Sequence, residues 1–476
     1  MMIRKSVGTL LLFTLFFQAF SIPWNGIYLK IQRGGVPLFV HIPVNFDKEN
    51  TFSVEVSPLA ALTNISYRVP HGWWEVVDAS TSFYLYEDVP PFITIKYSFQ
   101  NDFSKLHIEL PLRRSLTAFF TWPNTTVNFI PSHPYISMDM NFPRNTYLYF
   151  NFKDNFLMVG RTKLKWGYWD YPVSISDYAP YFDNITYIFK SGNWFSYTYH
   201  IIWIDPILTS EEYEIQSTTI PVNHDPLSPY FDRSKVMAAH RLDFLLLPNF
   251  EVSIGELNMI GGKYPDLFTM SPANVWHNNY TESFTNSIGT FQTAWTPIKG
   301  LNFYFDFALD DFAVPLTEPS DVKPTAYGLS AGIIKTFSTS WANFMLTLNY
   351  SETTKWMYNT FLPYLKYDTR IRFISNFPVS ARTIVSFPIG FRYGLDSSLI
   401  SFNIKFFNRY INGSMEFIKL EKGRATILTK YKANIPDDPI TYYGFNISLE
   451  TSYGIALKGI LLNDFYYIGL VYRLKF

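Results

Sequence analysis

The last twelve residues constrain the fold more than any other part of the chain. They read FYYIGLVYRLKF and end at Phe476. Every second position is apolar or aromatic, and the positions between are mostly polar or small; the apolar set is Tyr466, Ile468, Leu470, Tyr472, Leu474 and Phe476. Successive strand side chains point to opposite faces, so the segment has one apolar face. It is too short and too charged for a membrane-spanning helix, and it has the length of a tilted transmembrane β-strand.

The terminal phenylalanine adds information about assembly. An amphipathic strand that ends on this residue resembles the C-terminal recognition signal of bacterial outer-membrane barrels. We therefore interpret Tyr472, Leu474 and Phe476 as a barrel assembly signal. The expected partners are outer-membrane lipid and the barrel assembly machinery.

The N-terminus predicts export. Residues 1–21 contain a basic start at Arg4 and Lys5, then an apolar run, then small residues at Ala19 and Ser21. This order is that of a signal peptide cleaved near Ser21. The alternative is an N-terminal membrane anchor, but the apolar run is short compared with the ~20 residues of a helical span. The predicted location is the outer membrane of a bacterial cell.

Composition excludes several function classes. Lys plus Arg and Asp plus Glu are 39 each, so the net charge is zero and gives no support for nucleic-acid binding. There is no cysteine, which rules out disulfides, thiolate metal sites and a lipoprotein anchor. The eight histidines form no HxH or HExxH motif, so we predict neither metal nor cofactor. Aromatic residues make up 19%, which suits the two aromatic girdles of a membrane barrel.

From residue 145 onward, strand-like segments of roughly ten residues alternate between short and long connections. The short ones, such as 153–155, 191–193 and 248–249, contain Asn, Gly or Pro. The long ones are 165–184, 205–235, 260–285, 310–325 and 351–362. We predict an all-β fold over residues 141–476: a transmembrane antiparallel up-and-down β-barrel of about 16–18 strands, with periplasmic short turns and extracellular long loops. A soluble sandwich has the same alternation, but the signal peptide and the terminal strand favour lipid.

Residues 22–140 have a different pattern. Strand-like pieces such as IYLKI, TFSVEVS, FITIKYSF and KLHIEL are separated by many prolines. We predict an N-terminal periplasmic or plug-like β-rich region, with the first barrel strands as a further option for part of it.

Two motifs raise the question of catalysis. Residues 328–332 read GLSAG and match the nucleophile elbow GxSxG, which requires a strand-to-helix turn. Here the motif lies inside the strand-like run AYGLSAGIIKTF. Glu251 and Glu256 could form a carboxylate pair, but five strand positions would separate them by roughly 16 Å and turn them to opposite faces. We therefore predict that the protein is not an enzyme.

Charged residues on the strands predict a polar lumen. In residues 239–246 the alternation turns Leu242 and Phe244 outward and Arg241 and Asp243 inward. On the next strand it turns Glu251 inward. We predict that these charged groups and Arg161 form a lumen polar network, in which ion pairing offsets the cost of desolvation.

Several short motifs together resemble the capsule assembly Wzi family over about residues 145–290. They are Gly160-Arg161, Trp166-Gly167, Ser174-Ile175-Ser176, Ala239-His240-Arg241-Leu242, Gly255-Glu256, Pro272 and His277. The resemblance implies an outer-membrane barrel of about eighteen strands that acts as a lectin for capsular or exopolysaccharide. The chain departs from the family at residues 166–169, which read WGYW in place of a WGPG-like turn. It also departs in its β-rich N-terminal region, where the family has a small helical bundle.

We therefore predict a lectin-like barrel that binds surface polysaccharide through its long loops. Aromatic rings stack on the C–H faces of sugars, and neighbouring polar groups bond hydroxyls. The candidate binding residues are Trp166, Tyr168, Trp169, Tyr171, Trp276, His277 and Asn278, with Tyr178, Asp183 and Tyr280 nearby. The alternative is a general diffusion porin or solute channel. A plugged lumen favours the lectin, and an open conducting lumen favours the channel.

Overall fold

The computed structural model describes residues 24–37, 40–41, 50–65, 74–120, 124–132, 135–136, 138–218, 231–267, 269–273, 284–312, 324–374 and 382–476. The predicted signal peptide lies outside these residues, as do Trp276, His277, Asn278 and Tyr280. Among the described helices, none combines the length and the apolar character that crossing a membrane requires.

The described elements are mainly strands. The helices are α1 (Trp24–Gln32), α2 (Thr81–Asp88), α3 (Leu116–Phe119) and α4 (Ser210–Thr218), with a 3-10 turn at Pro363–Leu365. The first strands are β1 (Val40–His41), β2 (Thr51–Val56), β3 (Leu59–Thr63), β4 (Trp74–Asp78), β5 (Ile93–Gln100), β6 (Ser104–Leu112), β7 (Asn124–Val127), β8 (Pro131–Ser132) and β9 (Tyr135–Ile136). The middle strands are β10 (Asn145–Phe152), β11 (Asn155–Thr162), β12 (Lys165–Trp166), β13 (Phe182–Ser191), β14 (Phe195–Trp203), β15 (Asp232–Leu247), β16 (Phe250–Gly262), β17 (Thr285–Ile298) and β18 (Leu301–Asp311). The last are β19 (Ala326–Ser338), β20 (Asn343–Thr353), β21 (Asp368–Ile374), β22 (Arg382–Pro388), β23 (Ser397–Phe407), β24 (Ile411–Lys422), β25 (Ile440–Thr451), β26 (Ile455–Leu462), β27 (Phe465–Tyr472) and β28 (Leu474–Lys475).

One sheet of 21 of these strands closes into a barrel. β2 and β3 are two parts of one wall strand interrupted at Ser57 and Pro58, and β27 and β28 are likewise two parts of one. The short β7 continues the wall beside β3. Counted in this way, the described residues form eighteen antiparallel wall strands, and the last closes on the first through pairs such as Tyr467 with Thr63. The predicted fold class is confirmed.

The wall begins earlier in the chain than residue 141, the boundary predicted from the sequence. Three wall strands, β2 with β3, β5 and β6, come from residues 51–112. β6 pairs with β10 in a register that sets Ile108 opposite Thr146. This pairing gives hydrogen-bond partners to the backbone groups along the edge of β10, which lipid could not supply. The predicted strand IYLKI is wrong, because it lies in helix α1. There Tyr28 and Ile31, one helical turn apart, are both buried.

The two faces of the wall differ as the alternation predicts. On β18, Tyr304 and Asp306 point inward and are buried, whereas Phe303, Phe305 and Phe307 point outward and are partly exposed. The outward aromatic residues therefore face lipid. This alternation gives the barrel an apolar outer surface and a polar inner one.

Long connections fill the lumen, and we refer to residues 163–181 with 354–374 and 382–396 as the plug. In the plug, β21 and β22 form a hairpin to which β4 adds a parallel strand. Val173 and Ile175 are fully buried and belong to the main apolar core. The prediction that residues 165–184 form an extracellular loop is therefore wrong for most of this segment, because its apolar side chains are buried inside the barrel. At the periplasmic end α1 lies against the wall, where the Gly300 N–H donates to the Ile31 carbonyl at 3.0 Å.

Deleting Phe476 should lower the yield of closed barrel. The Phe476 N–H donates to the Val54 carbonyl at 2.9 Å, and the Val54 N–H donates back at 3.1 Å, so the deletion removes two closing hydrogen bonds. The heat-modifiable fraction on a gel measures closure, and Phe476→Tyr, which keeps the backbone and the ring, is the control. An unchanged folded fraction for the truncated chain would contradict this role.

Candidate functional site

A buried polar layer inside the barrel holds the plug to the wall. Arg241 is 1% exposed, and its Nε donates to Asp243 Oδ1 at 2.5 Å. Its Nη2 donates to the Ser253 hydroxyl at 2.9 Å. Glu251 also points inward and is buried. The alternation in the sequence predicts that Arg241, Asp243 and Glu251 point inward, and in the structure they do.

The plug bonds to the same side of the wall. Asp306 accepts from the Ser174 hydroxyl at 2.8 Å and from the Val173 N–H at 2.9 Å. Trp166 is fully buried, and its indole N–H donates to His200 Nε2 at 3.2 Å. Each of these contacts satisfies a buried polar group that would otherwise cost roughly 1–3 kcal/mol.

Three of the motif residues that resemble the Wzi family, Trp166, Arg241 and Gly255, meet in this layer. β15 and β16 are in a register that pairs Arg241 with Gly255 and His240 with Glu256. A Cβ on Gly255 would lie 2.8 Å from the His240 carbonyl oxygen and 3.0 Å from Trp166 Cζ3. The glycine therefore lets Trp166 lie directly against the wall, with the Arg241 guanidinium carbon 5.4 Å from its ring centre. Trp166, Arg241 and Gly255 are therefore structural residues of the barrel interior, whereas His240 lies on the other face of the wall beside Tyr199.

The aromatic residues predicted to bind carbohydrate on this loop are in the lumen. Trp169 is 1% exposed and stacks on Tyr304 with ring centres 4.8 Å apart. It also belongs to an apolar cluster with Ile31 and Val36 near the periplasmic end. A position on the extracellular surface is therefore wrong for Trp169.

Two further predicted aromatic residues serve as plug contacts. The Tyr168 hydroxyl donates to Asn302 Oδ1 at 2.6 Å. The Tyr171 hydroxyl donates to Glu416 Oε1 at 2.8 Å. With Trp166 they lie inside the barrel, because the whole segment folds inward.

Arg161 was predicted in the lumen network, and the structure corrects this. Its neighbour Thr162 is buried on the inner face, whereas Arg161 shares the outer face with the exposed Val159. Arg161 makes a bidentate pair with Asp183, with Nε to Oδ1 at 2.7 Å and Nη2 to Oδ2 at 2.9 Å. The register of β11 decides the direction of this side chain.

Arg161 instead contributes to a cavity of about 200 Å³ at the extracellular rim, which we call the rim cavity. Arg161, Asp183 and Trp203 form one row across the upper ends of β11, β13 and β14, since Arg161 pairs with Asp183 and Asp183 with Trp203. The opposite side consists of Asp205 and the edge of β21, including Arg372.

The polar groups of the rim cavity are paired but accessible. Arg372 Nε donates to Asp205 Oδ2 at 2.7 Å, and both side chains are about one-third exposed or more. The Arg161 guanidinium carbon lies 3.9 Å from the centre of the Tyr181 ring. Trp203 is 43% exposed at the upper end of β14.

Tyr181 and Asn141 stiffen one side of the rim cavity. Burial raises the pKa of Tyr181, against a lowering effect of Arg161, so its hydroxyl stays protonated near neutral pH. That hydroxyl donates to Asn141 Oδ1 at 3.0 Å, and Asn141 Nδ2 donates to the Arg372 carbonyl at 2.8 Å. These contacts hold the β21 edge beside the wall.

Sequence reasoning found part of this site. Asp183 was among the residues named for hydroxyl contacts, but Trp203 and Arg372 were not. Trp203 could have been identified from the local sequence, because it is an aromatic residue at the end of a predicted strand. Arg372 lies more than 160 positions further on, and no spacing rule brings it to Trp203.

The structure also places the residues that the sequence raised for metal binding and for a nucleophile elbow. No group of three or more His, Asp or Glu residues there could hold a metal ion. Ser330 lies within β19, which continues as a strand to Ser338, so the turn of a nucleophile elbow is missing. The Ser330 hydroxyl donates to Asn349 Oδ1 at 3.2 Å.

Gly255→Ala should destabilise the barrel by about 1–3 kcal/mol, because the added methyl overlaps backbone and ring atoms in a packed interior. Gly289→Ala on the neighbouring strand is the matched control, since a Cβ there has no atom within 4 Å. Urea unfolding of the refolded barrels measures the difference. Equal unfolding midpoints would show that Trp166 does not require the glycine.

Comparison with known proteins agrees with the fold. No family model and no curated protein matches the sequence. Among solved structures, the chain is similar to Wzi of Escherichia coli, an outer-membrane protein involved in group 1 capsule assembly and described as a carbohydrate-binding β-barrel. The identity is 11%, the match covers 89% of this chain and 84% of Wzi, and the TM-score is 0.54.

Two further structures are also similar, at lower scores. OccK10 (OpdN) of Pseudomonas aeruginosa has 7% identity and a TM-score of 0.42, covering 90% of this chain and 99% of its own. The channel DcaP of Acinetobacter baumannii has 9% identity and a TM-score of 0.36, covering 90% and 97%. The likeness to Wzi confirms the predicted resemblance at the level of the fold, and this chain is an outer-membrane type of β-barrel.

Proposed function

We propose that this protein is a non-catalytic barrel of the bacterial outer membrane that binds surface polysaccharide at the rim cavity. The observation that carries the proposal is the exposed ring of Trp203 beside two accessible ion pairs at the extracellular end. Wzi, the similar structure with the higher score, is described as carbohydrate-binding and is consistent with this proposal.

The chemistry of the rim cavity suits a sugar. The open face of Trp203 offers a surface for ring C–H groups. Arg161 with Asp183, and Arg372 with Asp205, place donors and acceptors side by side, as vicinal hydroxyls require. Because each pair is already held in place, little side-chain freedom remains to be lost on binding.

The size of the cavity limits what enters. Its volume of about 200 Å³ is below the roughly 300–1,000 Å³ of sites for drug-sized ligands. One sugar unit of a longer chain therefore fits better than a whole oligosaccharide. The rest of the chain would lie across the rim, where Trp276, His277 and Asn278 stay predicted contacts.

A diffusion channel is less well supported by the same structure. The plug places Trp166, Val173 and Ile175 in the lumen as fully buried side chains. Passage of solutes through that part of the barrel would require the plug to leave. A binding role at the rim needs no such movement.

Trp203→Ala should weaken polysaccharide binding without affecting assembly. A stacked aromatic contact is typically worth about 0.5–1.5 kcal/mol, which corresponds to a roughly two- to tenfold loss of affinity. Trp194→Ala is the matched control, since Trp194 is also exposed but lies near the periplasmic turn between β13 and β14. The measurements are glycan-array binding by purified barrel and retention of polysaccharide on cells.

Arg372→Ala extends the test to the ion pairs, because it removes the partner of Asp205. Combined with Trp203→Ala, it should lower the affinity for polysaccharide further. Both variants must first give the heat-modifiable band of the wild-type chain. Wild-type binding by a folded Trp203→Ala, Arg372→Ala double variant would overturn the rim cavity as the site. Binding of no glycan by the wild type itself would overturn the proposed function.

A further inference from the structure

The two halves of the lumen differ in their contact with water. On the wall that includes β18–β20, inward residues such as Asp306 and Ser330 are fully buried. On the wall from β24 to β28, several inward polar residues are partly exposed instead. The side chains of Lys458 and Arg473 are each 32% exposed, and Ser448 is exposed as well.

Inward charges on the second wall occur in pairs. Lys458 Nζ lies 2.9 Å from Asp88 Oδ2, and Arg473 pairs with Glu450. Lys96 and Glu109, on β5 and β6, lie 3.9 Å apart with side chains 39% and 24% exposed. Ions this exposed keep much of their hydration, so this side of the lumen holds water.

The wet region has an open end and a closed end. Ser448, Glu450 and Arg473 lie near the turn at 452–454, on the periplasmic side. In the extracellular half of the same wall, inward residues are apolar or aromatic and buried; they are Ile418, Leu420, Leu462 and Tyr467. The exposed polar groups of this wall therefore lie toward the periplasmic end, and apolar residues close off the extracellular end.

The plug forms the inner side of this region. Lys405 Nζ lies 2.8 Å from Asp170, and the Tyr171 hydroxyl bonds to Glu416. Asn446 Nδ2 donates to the other oxygen of Glu416 at 3.0 Å. Hydroxyl, amide and paired ionic groups thus line the region on both sides.

We propose that the space between the plug and the wall of β24–β28, β5 and β6 is a blind vestibule that admits small hydrophilic solutes from the periplasm. Because its cations and carboxylates are paired, it has no strong field of one sign. It therefore accepts neutral polyhydroxyl compounds and small ions of either charge. This inference rests on the outer-membrane placement and not on the rim cavity.

The absence of cysteine from the sequence makes the vestibule directly testable. Ser448→Cys places a thiol in the vestibule, and Ser330→Cys places one in the dry half. Purified folded barrels are treated with a cationic and an anionic methanethiosulfonate reagent. We expect complete modification at position 448 by both reagents and none at position 330.

Sidedness requires a second measurement on cells. A maleimide attached to a linear polyethylene glycol too large for outer-membrane pores should label Ser448→Cys only after the outer membrane is permeabilised. Asn434→Cys, at an exposed position of the connection of residues 423–439, should be labelled on intact cells. No modification of folded Ser448→Cys, modification by reagents of one charge only, or labelling of it on intact cells would each overturn the proposal.

Discussion

Closure of the sheet between its first and last wall strands is the constraint on which the rest of the structure depends. Lipid offers no hydrogen-bond partners, so an open edge would leave backbone groups unsatisfied. β27 and β28 close on β3 and β2 across a wall strand that bends at Ser57 and Pro58. Residues 51–112 must therefore belong to the barrel.

Closure creates a lumen wide enough to need filling, and the chain fills it unevenly. The plug packs against Arg241 and bonds to Asp306 on one side, and it leaves charged, partly exposed groups on the other. The dry side holds the plug to the wall by these contacts and carries the motif residues Trp166 and Gly255. At the extracellular rim, aromatic and ionic groups are held by contacts and are also accessible.

The sequence predicted the wall well and the plug poorly, for a physical reason. Alternation with period two is a local property, so Asn145–Phe152 appears in the structure with the bounds read from the sequence. The same alternation also predicted that Arg241 points inward. Whether a long connection folds into the lumen or over the surface depends on the space inside the closed barrel. That space is not a local property of the sequence, so the position of Trp169 could not be predicted. Arg161 was assigned to the wrong face because no residue pattern in its short strand fixed the register.

The central claim is that the plug closes the lumen to passage, so that the protein acts by binding at its rim. Conductance of the purified, folded barrel in a planar lipid bilayer tests this most directly. The account predicts no steady conductance above that of the bare membrane. A sustained ohmic conductance from the wild-type barrel would contradict it and would favour a solute channel.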